Sequence, residues 1–435
     1  MLVVDYAVTF VTRVLSVLSV EWSSLPATDG AMDPPQKSDY SAEYFEKALV
    51  KAHQSPNLRV ESFSIEVLSQ NGENFCSVIY RVVVGFRKTA DATLETGRYI
   101  IKDLLPVVAE LGTNEKTMFE ELLPAMGDIL GRAPPSLGEH KLSADCLLAD
   151  ATNGKEVYVL EDLGALGYAS MDRFRGLSLE DAQIGLGKMA QFHAASMVLC
   201  QQQPELVAKL SPSHYAEGVS DPFAQVIVIG GTEYAAEVFA QELPQIAKKM
   251  KAQIPEEYSK RIRAVVDPKN SAFNVIVHGD LWVNNMMLDR SNGNVILVDF
   301  QNCFLGSPAI DVQFFFYTSL QLEVLLHQQD ALLQHYYHSL TETLKLCGYT
   351  GSVPTFEQLM AEMQRCLYYG YYAVACELPI CCASPEASSD FNLHTFGNKQ
   401  ALEEKRRQLF ASERVRQTIK AALLTFEQQG ILETP

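Results

Sequence analysis

The run Val277-His278-Gly279-Asp280-Leu281-Trp282-Val283-Asn284-Asn285, with Val298-Asp299-Phe300-Gln301 after it, constrains this chain more than any other feature. Asp280 and Asn285 stand five positions apart, and Asp299 lies fourteen residues beyond Asn285. Between them, Val295-Ile296-Leu297-Val298 reads as an apolar strand, and Ser291-Asn292-Gly293-Asn294 reads as the turn before it. A strand end is a rigid platform for a carboxylate. Taken singly, Asp280 and Asn285 could satisfy a turn and Asp299 could cap a strand. The ordered combination, with a hairpin between its halves, is hard to obtain by chance.

The spacing of Asp280 and Asn285 matches a catalytic loop of the form H-x-D-x-x-x-x-N. Phosphoryl transfer needs one carboxylate to orient the attacking hydroxyl and take its proton. It also needs oxygen ligands that hold Mg²⁺ against the phosphates. Asp280 suits the first role; Asn285 and Asp299 suit the second. His278 reads as a brace for the loop backbone, not as a proton carrier. ATP and Mg²⁺ are therefore the cosubstrate and the metal that the pattern implies.

A nucleotide clamp is expected upstream. Lys102 ends an apolar strand, Tyr99-Ile100-Ile101-Lys102, and suits a lysine that pairs with phosphates; Glu115 suits its orienting carboxylate. Alone, each would be an ordinary solvated side chain. Gly72-Glu73-Asn74-Phe75-Cys76-Ser77 lies between two strands and is the candidate phosphate-covering loop, through Gly72, Asn74, Phe75 and Ser77. Its single glycine equally describes a plain hairpin turn. Adenine would be read by backbone groups near Glu161, Asp162 and Leu163.

The element pattern agrees with a two-lobed plan. A helix is expected from Ser41 toward His53, with Ser41 as its N-cap. Phe63, Ile65 and Val67 alternate as in a half-buried strand. Val78 to Phe86 reads as the next strand, Tyr99 to Lys102 as a short third one, and Val157 to Leu160 as another. Glu115 to Leu123 reads as a helix ended by Pro124. Long helical patterns then occupy 180–200, 232–264, 315–347, 355–377 and 399–429. The chain is thus expected to be α+β and bilobal, with a kinase-like fold. Residues 1–36 read as an extension outside the core, 37–160 as a small β-rich nucleotide lobe, and 161–435 as a large, mainly helical lobe.

Composition narrows the class. With 435 residues, 47% hydrophobic and 20% charged, the chain reads as an ordinary soluble globular protein. Its net charge of -18 repels nucleic-acid phosphates and argues against a nucleic-acid partner. Nine cysteines, an odd number scattered through apolar stretches, read as reduced thiols and favour the cytoplasm. Cys381-Cys382 reads as a packed pair, because no ligand-spaced Cys or His flanks it. The apolar run 1–20 invites a targeting or anchor reading, but Asp5 and Arg13 interrupt it and it is short for a membrane span. No membrane association is expected, and a second plausible start stands at Met32.

Together these residues resemble the ecdysteroid kinase-like family of arthropods, also described as choline-kinase-like and related to aminoglycoside phosphotransferases and choline kinases. The resemblance is carried by Gly72-Glu73-Asn74-Phe75, Tyr99 to Lys102, Glu115 before Leu123-Pro124, and Leu160-Glu161-Asp162-Leu163. Phe192-His193-Ala194-Ala195-Ser196, the Asp280 loop, Val298 to Gln301, and Gly306-Ser307-Pro308 leading to Asp311 complete it. It implies that Asp311 braces the catalytic loop, and that the acceptor is the hydroxyl of an ecdysteroid or a related sterol or xenobiotic.

Three departures separate the chain from protein kinases. Position 279 is Gly, where a regulated protein kinase carries an Arg, and position 301 is Gln, giving Asp-Phe-Gln instead of Asp-Phe-Gly. Only eleven residues separate Asp299 from Asp311, too few for an activation segment that docks a peptide. A small-molecule hydroxyl acceptor is expected instead. Leu367-Tyr368-Tyr369-Gly370-Tyr371-Tyr372 could line its pocket or could simply be core. Two alternatives stay open: a catalytically silent binder of a steroid or toxin, and a choline- or ethanolamine-type kinase.

Overall fold

The computed structural model describes residues 36–68, 77–105, 108–109, 112–152, 155–220, 224–388 and 399–433. The extension up to Pro35 lies outside them, as do Gly72, Asn74 and Phe75. The first described α-helix, Ala42–Ala52, opens where Ser41 accepts a hydrogen bond from the Tyr44 N–H. That bond satisfies one of the donors a helix start leaves unpaired.

Five strands follow: β1 (Arg59–Val67), β2 (Ser77–Arg87), β3 (Glu95–Leu104), β4 (Cys146–Thr152) and β5 (Lys155–Glu161). They form one antiparallel sheet in the order β1-β2-β3-β5-β4. One face packs Tyr80, Val82, Val84 and Phe86 against Phe45 and Leu49 of the first helix. Two expectations need correction here. β3 is longer than its apolar core, because Glu95 to Gly97 continue the ladder with β2. β1 is an edge strand, so Phe63 stays 38% exposed although its ring lies 5.1 Å from that of Phe45.

The helix beginning at Glu115 does not stop at Pro124. It runs through Glu115–Thr117, a π-helical turn Met118–Leu122, and Leu123–Gly131. The wider turn shifts the bonding pattern, and Pro124 falls in the first turn of the next α-segment, where its missing N–H costs little. This helix lies on the other side of the sheet and joins the large core. Leu104, Met118, Phe119 and Leu122 belong to the same apolar cluster as Phe192, Phe300 and Phe315.

The second lobe is mainly helical. The expected 232–264 segment is three helices, Gly230–Val238, Pro244–Gln253 and Glu256–Val266, with Pro244 and Pro255 at the breaks. The 315–347 segment is likewise divided, into Ala309–Ser319, Leu322–His327 and Gln329–Leu346. Helix Leu179–Gln202 packs on Gln329–Leu346 and on a short strand, β7 (Val275–Val277). β6 (Ala169–Ser170) pairs with β8 (Met286–Asp289), and β8 with β9 (Asn294–Leu297), the hairpin expected from the sequence. β10 (Phe304–Gly306) returns against β7. The fold is α+β and bilobal, with the protein-kinase-like plan. No helix among the described residues is long and apolar enough to cross a membrane. The eight described cysteines are all free.

Candidate active site

The candidate catalytic loop, His278 to Asn285, sits between β7 and β8, and its backbone is held from beneath. Asp311, fully buried near the start of helix Ala309–Ser319, accepts from His278 N–H at 2.7 Å and from Gly279 N–H at 2.9 Å. Its Oδ2 also lies 3.0 Å from His193 Nε2, and His193 Nδ1 lies 2.7 Å from the Tyr336 hydroxyl. Ser196, one turn on, donates to His193 O and accepts from Ile276 N–H. The sequence displayed His193 and Ser196 as a motif without giving them work. Their work is to fix Asp311 and β7.

Gly279 has a reason beyond the missing arginine. Its φ is +82°, and a Cβ there would stand 2.3 Å from Asn302 O. Any side chain would have to displace backbone. His278 is fully buried, its Nε2 is 3.1 Å from Val298 O, and its ring lies 5.1 Å from that of Phe300. Burial lowers its proton affinity, so it packs as a neutral ring between loop and hairpin.

Asp280 and Asn285 meet as the spacing required. Asn285 Nδ2 donates to Asp280 O at 2.7 Å and to Asp280 Oδ2 at 3.1 Å. Burial, and then the nearby Asp299 charge, hold the Asp280 carboxyl well above the usual range. Asp299 itself occupies the left-handed region at φ +69°, a strained conformation for a residue other than glycine. It follows β9 by two residues.

Lys102 reaches across from β3. Its Nζ donates to Glu115 Oε1 at 2.8 Å and Oε2 at 2.6 Å, and to Asp299 Oδ1 at 2.7 Å. Burial would lower the lysine, but the Asp299 and Glu115 charges outweigh it and hold the ammonium above its ordinary value. Burial raises the Glu115 carboxyl, and the ammonium opposes that rise. Glu115 Oε1 also accepts from Phe300 N–H at 3.2 Å. One residue earlier, Asn114 ties the lobes: it donates to Ser211 O and Cys303 O and accepts from Ser211 N–H. Nothing in the sequence marked that residue.

Of the other clamp candidates, Ser77 is a buried first residue of β2, opposite Leu104. Glu161 N–H is already committed to Asp145 O, and its carboxylate to Lys141 Nζ, so it offers less backbone than expected. Asp162 caps the short turn Leu163–Leu166 and takes a 2.8 Å ion pair from Arg81 on β2. Arg81 is a second residue that the sequence did not single out.

The donor set suits a hard cation. Asp299 and Asn285 offer oxygen, and the repulsion between Asp280 and Asp299 is the kind a divalent ion relieves. Among the described residues no group of three or more His, Cys, Asp or Glu side chains is arranged to hold a metal. A cation held here would share its ligands with phosphate oxygens, as Mg²⁺ commonly does.

The model of the ecdysteroid kinase-like family matches residues 71–349, more than half of the chain. The chain belongs to the ecdysteroid kinase-like family. The matched span holds Lys102, Glu115, Asp280, Asn285, Asp299 and Asp311 together. No curated protein sequence matches the chain. Among solved structures it is similar to an ethanolamine kinase from Plasmodium vivax, with 12% identity and a TM-score of 0.42 over 84% of this chain and 86% of that one. It is also similar to a protein from Ralstonia eutropha described as an aminoglycoside phosphotransferase, with 14% identity and a TM-score of 0.41 over 86% and 97%. An amicoumacin kinase in complex with AMP-PNP and Ca²⁺ is 12% identical, with a TM-score of 0.35 over 87% and 96%.

Proposed function

We propose that this ecdysteroid kinase-like protein transfers the γ-phosphate of ATP to a hydroxyl of a small molecule, an ecdysteroid or related sterol being the acceptor of choice. One observation carries the reading: Lys102 bridges Glu115 and Asp299 across the lobes, in front of an Asp280 that Asn285 holds in place. Family membership supports the same chemistry.

In this reading Lys102, kept charged and oriented by Glu115, binds the phosphates as a fixed cation. Asn285 and Asp299 would hold Mg²⁺, which when bound neutralises phosphate charge. Asp280 orients the acceptor hydroxyl and takes its proton. A carboxylate raised toward neutrality is a better base for that step than an ordinary one. Asp311 and His193 keep the loop from shifting as charge develops, which is the preorganisation on which such catalysis rests.

The test is ADP release from ATP with Mg²⁺ and a panel of hydroxyl compounds. Asp280→Asn keeps the shape and removes the proton acceptor. Turnover is expected to fall by about 10²–10⁴-fold, with ATP affinity little changed. Asp299→Ala should abolish Mg²⁺-dependent transfer. Full activity in folded Asp280→Asn would overturn the assignment.

A further inference from the structure

The tyrosine-rich helix Leu367–Tyr372 divides its side chains between two tasks. Tyr368 and Tyr371 turn toward Tyr258, with ring centroids 5.3 and 5.8 Å away, and Tyr368 donates to Gln253 Oε1. These two are core. Tyr369 and Tyr372 instead pack on Phe314 of helix Ala309–Ser319, at 6.2 and 6.5 Å. That helix carries Asp311, which holds His278 and Gly279, and Ser319, whose Oγ accepts from Val283 N–H at 3.0 Å. It therefore grips the loop on both sides of Asp280 and packs against the two tyrosines.

A carboxylate stands at the end of this wall. The Tyr372 hydroxyl donates to Glu377 Oε1 at 2.5 Å and lies 3.0 Å from the Tyr215 hydroxyl. Glu377 closes the π-helical turn Ala373–Glu377, a distortion that often marks functional positions. Among the described residues it forms no ion pair; burial raises its carboxyl, and the Tyr372 hydrogen bond opposes the rise. Its charge is in turn felt at Asp280, Tyr369 and Cys381. Glu377 is only half-buried, so its carboxylate, with one hydroxyl donor in place, is open to a further donor from a bound molecule.

We propose that Glu377, held by Tyr372, recognises the acceptor: it takes a hydrogen bond from a second donor group, hydroxyl or ammonium, of a molecule whose reacting hydroxyl lies at Asp280. The inference rests on the phosphotransferase reading for the position of the reacting hydroxyl, but the recognition step is measurable without transfer.

The probes are paired. Ecdysone, with many hydroxyls, is set against cholesterol, with one; ethanolamine is set against ethylene glycol. Binding is measured by calorimetry in the presence of Mg²⁺ and AMP-PNP, and transfer by ADP release with ATP. For at least one donor-rich probe, Glu377→Gln is expected to weaken binding and raise KM by about ten- to a hundredfold, the usual worth of a charged hydrogen bond. KM for ATP stays unchanged, and cholesterol is unaffected. Loss confined to ethanolamine identifies an ammonium partner; loss for ecdysone identifies a hydroxyl. Glu377→Ala, checked by thermal unfolding, must reproduce the loss. If binding discriminates but no probe is phosphorylated, the inference stands and the transfer reading falls. Binding of no probe, or unchanged affinity for every probe in folded Glu377→Gln, overturns the inference.

Discussion

At the scale of single residues the site is an argument about uncompensated charge. Asp280 is half-buried, stands near the Asp299 charge, and is held above its ordinary proton affinity. A carboxyl that binds its proton more tightly when folded contributes stability below the unfolded value near 3.9, and that contribution is lost as pH rises through the folded value. At neutral pH the ionised side chain is therefore a cost to the fold. Asp280→Asn is expected to melt several degrees higher than the native protein at pH 8, with the gap closing as pH falls through the raised folded value and gone below about 4. Thermal unfolding across that range is the measurement, and a variant less stable at pH 8 would refute the account. Transfer has the opposite dependence: its rate should rise with pH through the same raised value, because the base must be ionised. Asp280, Asn285 and Asp299 were legible in the sequence because fixed spacing and a local hairpin place them. Asn114 and Arg81 were not, because each acts through partners remote in the chain.

At the scale of elements, the difference lies between those set by local pattern and those set by packing. Helix Ala42–Ala52 and the β8–β9 hairpin carry their own caps and turns, and both lie where the sequence put them. The helix through Pro124 does not. Its π-helical turn belongs to a segment packed on both the sheet and the large core, and no local signal announces it. Helix Ala309–Ser319 shows what such packing does for function, since all its residues are buried and Asp311 stands near its start. Asp311→Ala would leave the N–H groups of His278 and Gly279 and the His193 ring without their acceptor. The expected loss is about 3–5 kcal/mol. Ser41→Ala removes an exposed cap and should cost about 1 kcal/mol, with activity untouched. Denaturant titration compares the two directly. Equal losses would mean that Asp311 is not the brace described here.

Across the whole molecule, two lobes do not mean two independent units. The first-helix side of the sheet has a small core of its own, but the Glu115–Gly131 face shares the large core of the helical lobe. Polar ties follow the same seam. Asn114 N–H donates to Gln301 O, the Asn114 side chain reaches Ser211 and Cys303, and Leu297 N–H donates to Leu142 O. A helix fixed on both lobes keeps Glu115 beside Lys102, so this pair is already formed in the protein alone. Unfolding should accordingly be one cooperative transition by near-ultraviolet circular dichroism and by calorimetry. AMP-PNP with Mg²⁺ at a hundred times its Kd should stabilise that single transition by about 2.7 kcal/mol. Asn114→Ala tests the seam. It strips the part-buried Ser211 N–H and C=O and the buried Cys303 carbonyl of their partner, so a loss of about 1–3 kcal/mol is expected, together with a higher KM for ATP as Glu115 loses its anchor. Two separate transitions in the native protein would refute the shared core. An Asn114→Ala protein with native stability and native KM would show that the lobes are joined by apolar packing alone.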